Sequence, residues 1–172
     1  LTVIRGTPAM IQLLIMYYIV FTSPDISKRF VAILTFGINS GAYVAEIIRS
    51  GIMSIDNGQF EAGRSLGFNY ASTMFHIIIP QAFKNVLPAL MNEFITLLKE
   101  TSICGYIGLM DLTRAGDFIR SRTYEAFFPL IATASIYFVT AWFLAGFLVW
   151  LDNRLDPAKR RSKKMEDRKS VV

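Results

Sequence analysis

Glu93 and Glu100 are carboxylates seven residues apart in a stretch that is otherwise largely apolar. On a helix that separation is two turns, ~10 Å along the axis, and it puts both groups on nearly the same face. Thr96 lies near that face, whereas Asn92 and Lys99 occupy the adjacent one. Two carboxylates so placed and turned inward could hold a cation. They stand too far apart to share a proton as a catalytic acid–base pair would. Asn39 and Glu46 are likewise seven apart, and Arg49, three residues beyond Glu46, is the natural partner for that carboxylate. His76 is the single histidine, which excludes a multi-histidine metal site, and Cys104 is the single cysteine, which excludes an internal disulfide. No phosphate-binding glycine loop ending in Gly-Lys-Ser/Thr, no nucleophile–base pair and no metal-ligand cluster is present. Catalytic residues, a bound metal and a cofactor of the chain's own are therefore not expected.

The elements that must carry these groups are membrane helices. Of the 172 residues 53% are hydrophobic, above the roughly 45–50% of an ordinary soluble domain. They lie in blocks and not in amphipathic stripes. Residues 127–151 contain no Asp, Glu, Lys, Arg or His; as a helix they would exceed the ~30 Å hydrocarbon core of a bilayer. Three further apolar segments fall at 9–21, 30–48 and 77–98. The second carries Gly37, Gly41 and Ala45 at every fourth position, a spacing that lets another helix approach closely in lipid. The third carries Pro88, which should kink it. Tyr137, Trp142 and Trp150 suit spanning and interfacial positions. A central Asp, Lys or Arg costs ~2.5–3.5 kcal/mol on the insertion scale, so charge within these spans needs a reason.

Orientation follows from charge. The net charge is +5, concentrated after the last span, where residues 152–172 hold eight Lys/Arg against four Asp/Glu. Such a tail faces the cytoplasm, which accounts for its charge without nucleic acid as a partner. Alternation then puts residues 49–84 in the cytoplasm and places 22–29 and the charged loop 111–125 outside. The expected organisation is a transmembrane domain over 1–155 and a basic cytoplasmic tail over 156–172. Because the chain opens at Leu1 and enters a helical pattern within a few residues, a preceding N-terminal portion is expected.

Between the second and third apolar segments stands a short helix of small and polar residues. Asp56 reads as its cap, Gln59 as the capping-box partner and Gly67 as its stop. About ten residues of helix are unstable alone in water and need a partner surface. Glu61 and Arg64 could pair across one face, Ala62 and Gly63 leave the backbone open to a partner, and Phe60 and Leu66 offer apolar contact. The spacing Glu61-Ala62-Gly63, three residues, Gly67, nine residues, Ile77, one residue, Ile79-Pro80 resembles the EAA loop of ABC-importer permeases, with Gly63 in place of Ala and Ile79 in place of Leu. Arg5-Gly6-Thr7-Pro8, residues 39–47 and residues 92–102 resemble segments of the polar amino acid branch of that family, the histidine/glutamine/arginine permeases.

The resemblance covers nearly all of residues 1–155 and implies an all-α membrane protein: a bundle of transmembrane helices of the type I importer fold, with a cytoplasmic coupling helix and one more helix before the segment where this chain begins. It implies a multi-pass subunit of a prokaryotic plasma or inner membrane. Within residues 60–67, Phe60, Glu61, Ala62, Gly63, Arg64, Leu66 and Gly67 would engage a separate ABC ATPase subunit that binds the ATP. A second permease, identical or homologous, and an extracytoplasmic solute-binding protein complete the assembly it implies. Glu93, Thr96, Glu100 and Asn39 would line the substrate path. Together with the two carboxylates, the amino acid branch points to arginine, lysine or histidine as substrate, with glutamine next. An intramembrane enzyme and an ATP-independent channel or carrier are the rival classes.

Overall fold

The computed structural model describes residues 2–155 and is helical almost throughout. A short α1 (Thr2–Arg5) is followed by α2 (Ala9–Ile15), which continues as a π-helical turn, Met16–Val20. Then come α3 (Lys28–Met53), the short α4 (Gly58–Ser65) and α5 (Tyr70–Thr73). From α5 the chain passes through a second π turn, Met74–Ile78, into α6 (Ile79–Glu100) and a 3₁₀ segment, Thr101–Ile107. Helices α7 (Leu112–Thr123) and α8 (Phe127–Leu155) complete the order. Two of these, Lys28–Met53 and Phe127–Asp152, are long and apolar enough to cross a membrane, and Ala9–Val20 is a shorter apolar helix. α6 has the length, with 22 residues, and runs through Pro88 as one helix. None of the residues in the most apolar window of α8 is buried, the pattern of a helix whose whole surface suits lipid.

The chain divides into two compact units, one of residues up to Glu46 with Glu93–Trp142, the other of Ile47–Asn92 with Phe143 onward. In the first, Leu13, Ala32, Phe36 and Ile107 form a buried cluster, with Tyr17, Leu97 and Ile103 packed around it. The RGTP segment is tied down locally: the Gln12 side-chain amide donates to the carbonyls of Ile4 (2.6 Å) and Thr7 (2.9 Å), satisfying backbone acceptors that the end of α1 leaves open.

The structure bears on several expectations. α3 buries Val31, Ala32, Thr35, Phe36, Asn39 and Ala42. Gly37, Gly41 and Ala45 lie on the other side, exposed, and a Cβ at either glycine would meet nothing within 4 Å. Among the described residues nothing packs on this stripe, which stays open to the close approach of another helix that its spacing predicts. The third apolar segment becomes helical at Tyr70, not Ile77, because Asn69 caps it: its Oδ1 accepts from the Ser72 N–H at 2.8 Å. Residues 111–125 are mostly helix α7 and not a loop. Asp111 accepts from the Arg114 N–H (2.6 Å) with one oxygen and from the Gly105 N–H (2.8 Å) with the other, so one carboxylate caps α7 and closes the preceding turn. The basic tail over 156–172 lies outside the described residues.

Candidate functional site

Within the first unit α3 and α6 bring polar side chains together. The Ser40 hydroxyl donates to Glu93 Oε1 at 3.0 Å, and the Asn39 amide nitrogen donates to Glu100 Oε2 at 3.4 Å. Adjacent residues of one helix thus reach two carboxylates two turns apart on the other. Neither carboxylate is ion-paired among the described residues. A carboxylate only accepts, so Asn39 must offer it the NH₂ end of its amide. That fixes the flip and leaves the carbonyl oxygen, Asn39 Oδ1, buried with no donor. Asn39 is 3% exposed. A buried acceptor of this kind ordinarily has a partner. Thr96 is half-buried on the same helix, three residues after Glu93 and four before Glu100. The cluster therefore presents carboxylate oxygens and one unfilled amide oxygen, all acceptors, and suits an occupant rich in N–H donors.

The sequence brought forward Asn39, Glu93, Thr96 and Glu100 but not Ser40, which stands beside Asn39 in the same motif. It paired Glu46 with Arg49. The structure adds Arg5, whose Nη1 lies 3.5 Å from Glu46 Oε2 and whose guanidinium sits 5.3 Å above the Tyr43 ring. Glu93 and Glu100 accept hydrogen bonds from neutral donors on α3.

In the second unit α4 is the short helix between spans. Asp56 stands at its start as expected: its Oδ1 accepts from the Gly58 N–H at 2.6 Å, while Asn57, which already has helical dihedrals, makes no side-chain cap bond. Gln59 makes no capping box; its Oε1 accepts from Gln81 Nε2 at 3.3 Å. The stop is as the sequence gives it. Gly67 is left-handed (φ 81°), its N–H reaches the Arg64 carbonyl at 2.9 Å, and the Phe68 N–H reaches that of Gly63 at 3.0 Å, the paired bonds of a Schellman ending. Glu61 and Arg64 are exposed and form no ion pair with each other. Phe60 stacks on Tyr70 (6.0 Å, 13°). Gly63 does not leave the backbone open to a partner. It is buried against Thr73, so the outward surface is offered by Glu61, Ala62, Arg64, Ser65 and Leu66, the last 72% exposed.

Two helices long and apolar enough to cross a bilayer, polar side chains held between α3 and α6, and a short helix in the connecting loop suit a multi-helix membrane transport component. The chain belongs to the family of binding-protein-dependent transport system inner membrane components, which it matches over residues 1–157. It is 44% identical over 140 residues to an arginine transport system permease protein of Bacillus subtilis, an alignment covering 80% of this chain and 64% of that protein. It is 36% identical over 156 residues to a glutamine transport system permease protein of Escherichia coli, covering 89% and 71%. Among solved structures, an amino acid ABC transporter crystallised with histidines matches with a TM-score of 0.81 and 49% identity, covering 88% of this chain and 72% of that one. The all-helical fold is that of type I ABC importer permeases. The chain spans 64% of the length of the Bacillus relative and of several others.

Proposed function

We propose that this chain is the membrane-spanning part of an ATP-driven importer and forms the path for a basic amino acid: arginine, lysine or histidine. The supporting observation is the acceptor-only cluster of Glu93, Glu100 and Asn39 Oδ1, in which neither carboxylate is held in an ion-pair contact among the described residues. A guanidinium or ammonium group has donors and no acceptor, the complement of that set. Its positive charge also offsets what carboxylates cost within a span. Asn39, Ser40, Glu93, Thr96 and Glu100 contact the ligand or hold those that do. The exposed face of α4 docks on a separate ATPase subunit, a second permease completes the path, and an extracytoplasmic binding protein delivers the substrate. ATP binding draws the docked helices together and the path opens outward; hydrolysis resets it, the motion passing as rigid-body movement of helices.

The test uses the complete transporter in proteoliposomes. Removing a charge-assisted hydrogen bond, about 1.5–3 kcal/mol, from Glu100→Gln or Glu93→Gln should raise the apparent KM for arginine roughly ten- to hundred-fold. Unchanged KM in both variants sinks the basic-ligand reading. A second reading, glutamine, is favoured by the Escherichia coli relative. It expects glutamine to stimulate ATP hydrolysis where arginine does not.

A further inference from the structure

The residue that departs from the alanine of the loop pattern, Gly63, faces the short, buried side chain of Thr73. A Cβ at Gly63 would lie 2.6 Å from Thr73 Oγ1, 2.7 Å from its Cγ2 and 3.2 Å from its Cβ. Thr73 is 1% exposed, and its hydroxyl has no hydrogen-bond partner. Both branches of the threonine face the glycine, so turning χ1 by one rotamer still leaves a heavy atom there. Threonine is thus held for its shape, pressed against bare backbone. On the same side of α4, Phe60 stacks on Tyr70 and Gln59 meets Gln81. These contacts all run to the continuous helical stretch that begins at Tyr70 and enters the membrane as α6.

We propose that Gly63 and Thr73 form the seat by which α4 is fixed to the root of α6, and that they are positioning residues for energy coupling. This rests on the reading of α4 as the ATPase-docking helix. A lever transmits displacement only if it does not tilt on its mount. Alanine at 63, the residue the loop pattern carries, would here lift α4 off Thr73 and loosen the link while leaving the outward docking face unchanged.

The experiment is reconstitution of the complete transporter with Gly63→Ala, Thr73→Ala, Thr73→Val and the Gly63→Ala/Thr73→Ala double variant. ATPase co-purification, ATP hydrolysis and uptake are measured in each. Gly63→Ala should retain the ATPase subunit yet move roughly ten-fold less amino acid per ATP, the change that overpacking of this size produces in a two-state equilibrium. The double variant removes both clashing branches and should restore the ratio, and insertion too if the single variant inserts poorly. Thr73→Val keeps the shape and should match the parent. A normal ratio in Gly63→Ala, a double variant as defective as Gly63→Ala, or a Thr73→Val defect overturns the seat. Absence of any ATPase subunit from the parent complex overturns instead the docking reading on which it rests.

Discussion

Gly67 shows how much one residue can decide. Its φ of 81° lies where an L side chain costs about 1–2 kcal/mol, and the ending of α4 depends on it. Gly67→Val should fray the last turn: amide exchange at Phe68, whose N–H bonds the Gly63 carbonyl, should accelerate roughly ten-fold, 1.4 kcal/mol being a factor of ten. Hydrogen exchange by mass spectrometry reads this directly. Unchanged protection would mean that the helix does not need its glycine stop. Asp111 is the second such residue, because its two oxygens serve two different backbone donors. Asp111→Ala removes a cap worth about 1 kcal/mol and strands the Gly105 N–H. The melting temperature in detergent should fall by about 2–4 °C or more, and by less in Asp111→Asn, which can still accept.

At the scale of elements, the membrane helices divide by what their faces meet. α8 is apolar all round and has no buried residue in its most apolar window. α3 has one face in the core and, on another side, the exposed Gly37, Gly41 and Ala45. α6 is the most mixed, with Ala82 and Val86 buried and Glu93 and Glu100 turned to α3. That mixture explains why α6 is long enough to span yet falls outside the two clear candidates. A helix carrying carboxylates has to be shielded by a neighbour that donates to them, and α3 supplies the donors. Replacing Ser40 with Ala should therefore leave insertion intact while weakening transport several-fold, since a single neutral hydrogen bond contributes about 0.5–1.5 kcal/mol. Uptake kinetics at constant membrane yield check this.

For the whole molecule, the charge pattern predicts that α4 faces the cytoplasm and α7 the outside. In intact cells carrying Cys104→Ser, a membrane-impermeant maleimide should label Ser121→Cys but not Ser65→Cys, both positions being exposed. After permeabilisation both should react. The opposite pattern would reverse every assignment of side, including which face receives substrate and which receives the nucleotide-driven partner.

The sequence by itself determined the class. Long apolar blocks, the glycine stop at 67 and the two carboxylates at helical spacing are local or periodic features, and composition and spacing display those without a fold. At the start of α4 it placed Asp56 as an acceptor for a backbone N–H of the first turn, but it gave Gln59 a capping-box role, and only the tertiary structure shows that side chain turned to Gln81. The charges of residues 111–125 hid a helix because capping by Asp111 is a matter of where its oxygens point. Only the tertiary structure decided the partners. Ser40 and Asn39 meet Glu93 and Glu100 from more than fifty residues away, and Arg5 meets Glu46 from the other end of its unit. Gly63 turns inward to Thr73. Such pairings depend on how helices cross, and the crossing depends on the shapes of all the side chains between them, which no single stretch of sequence records.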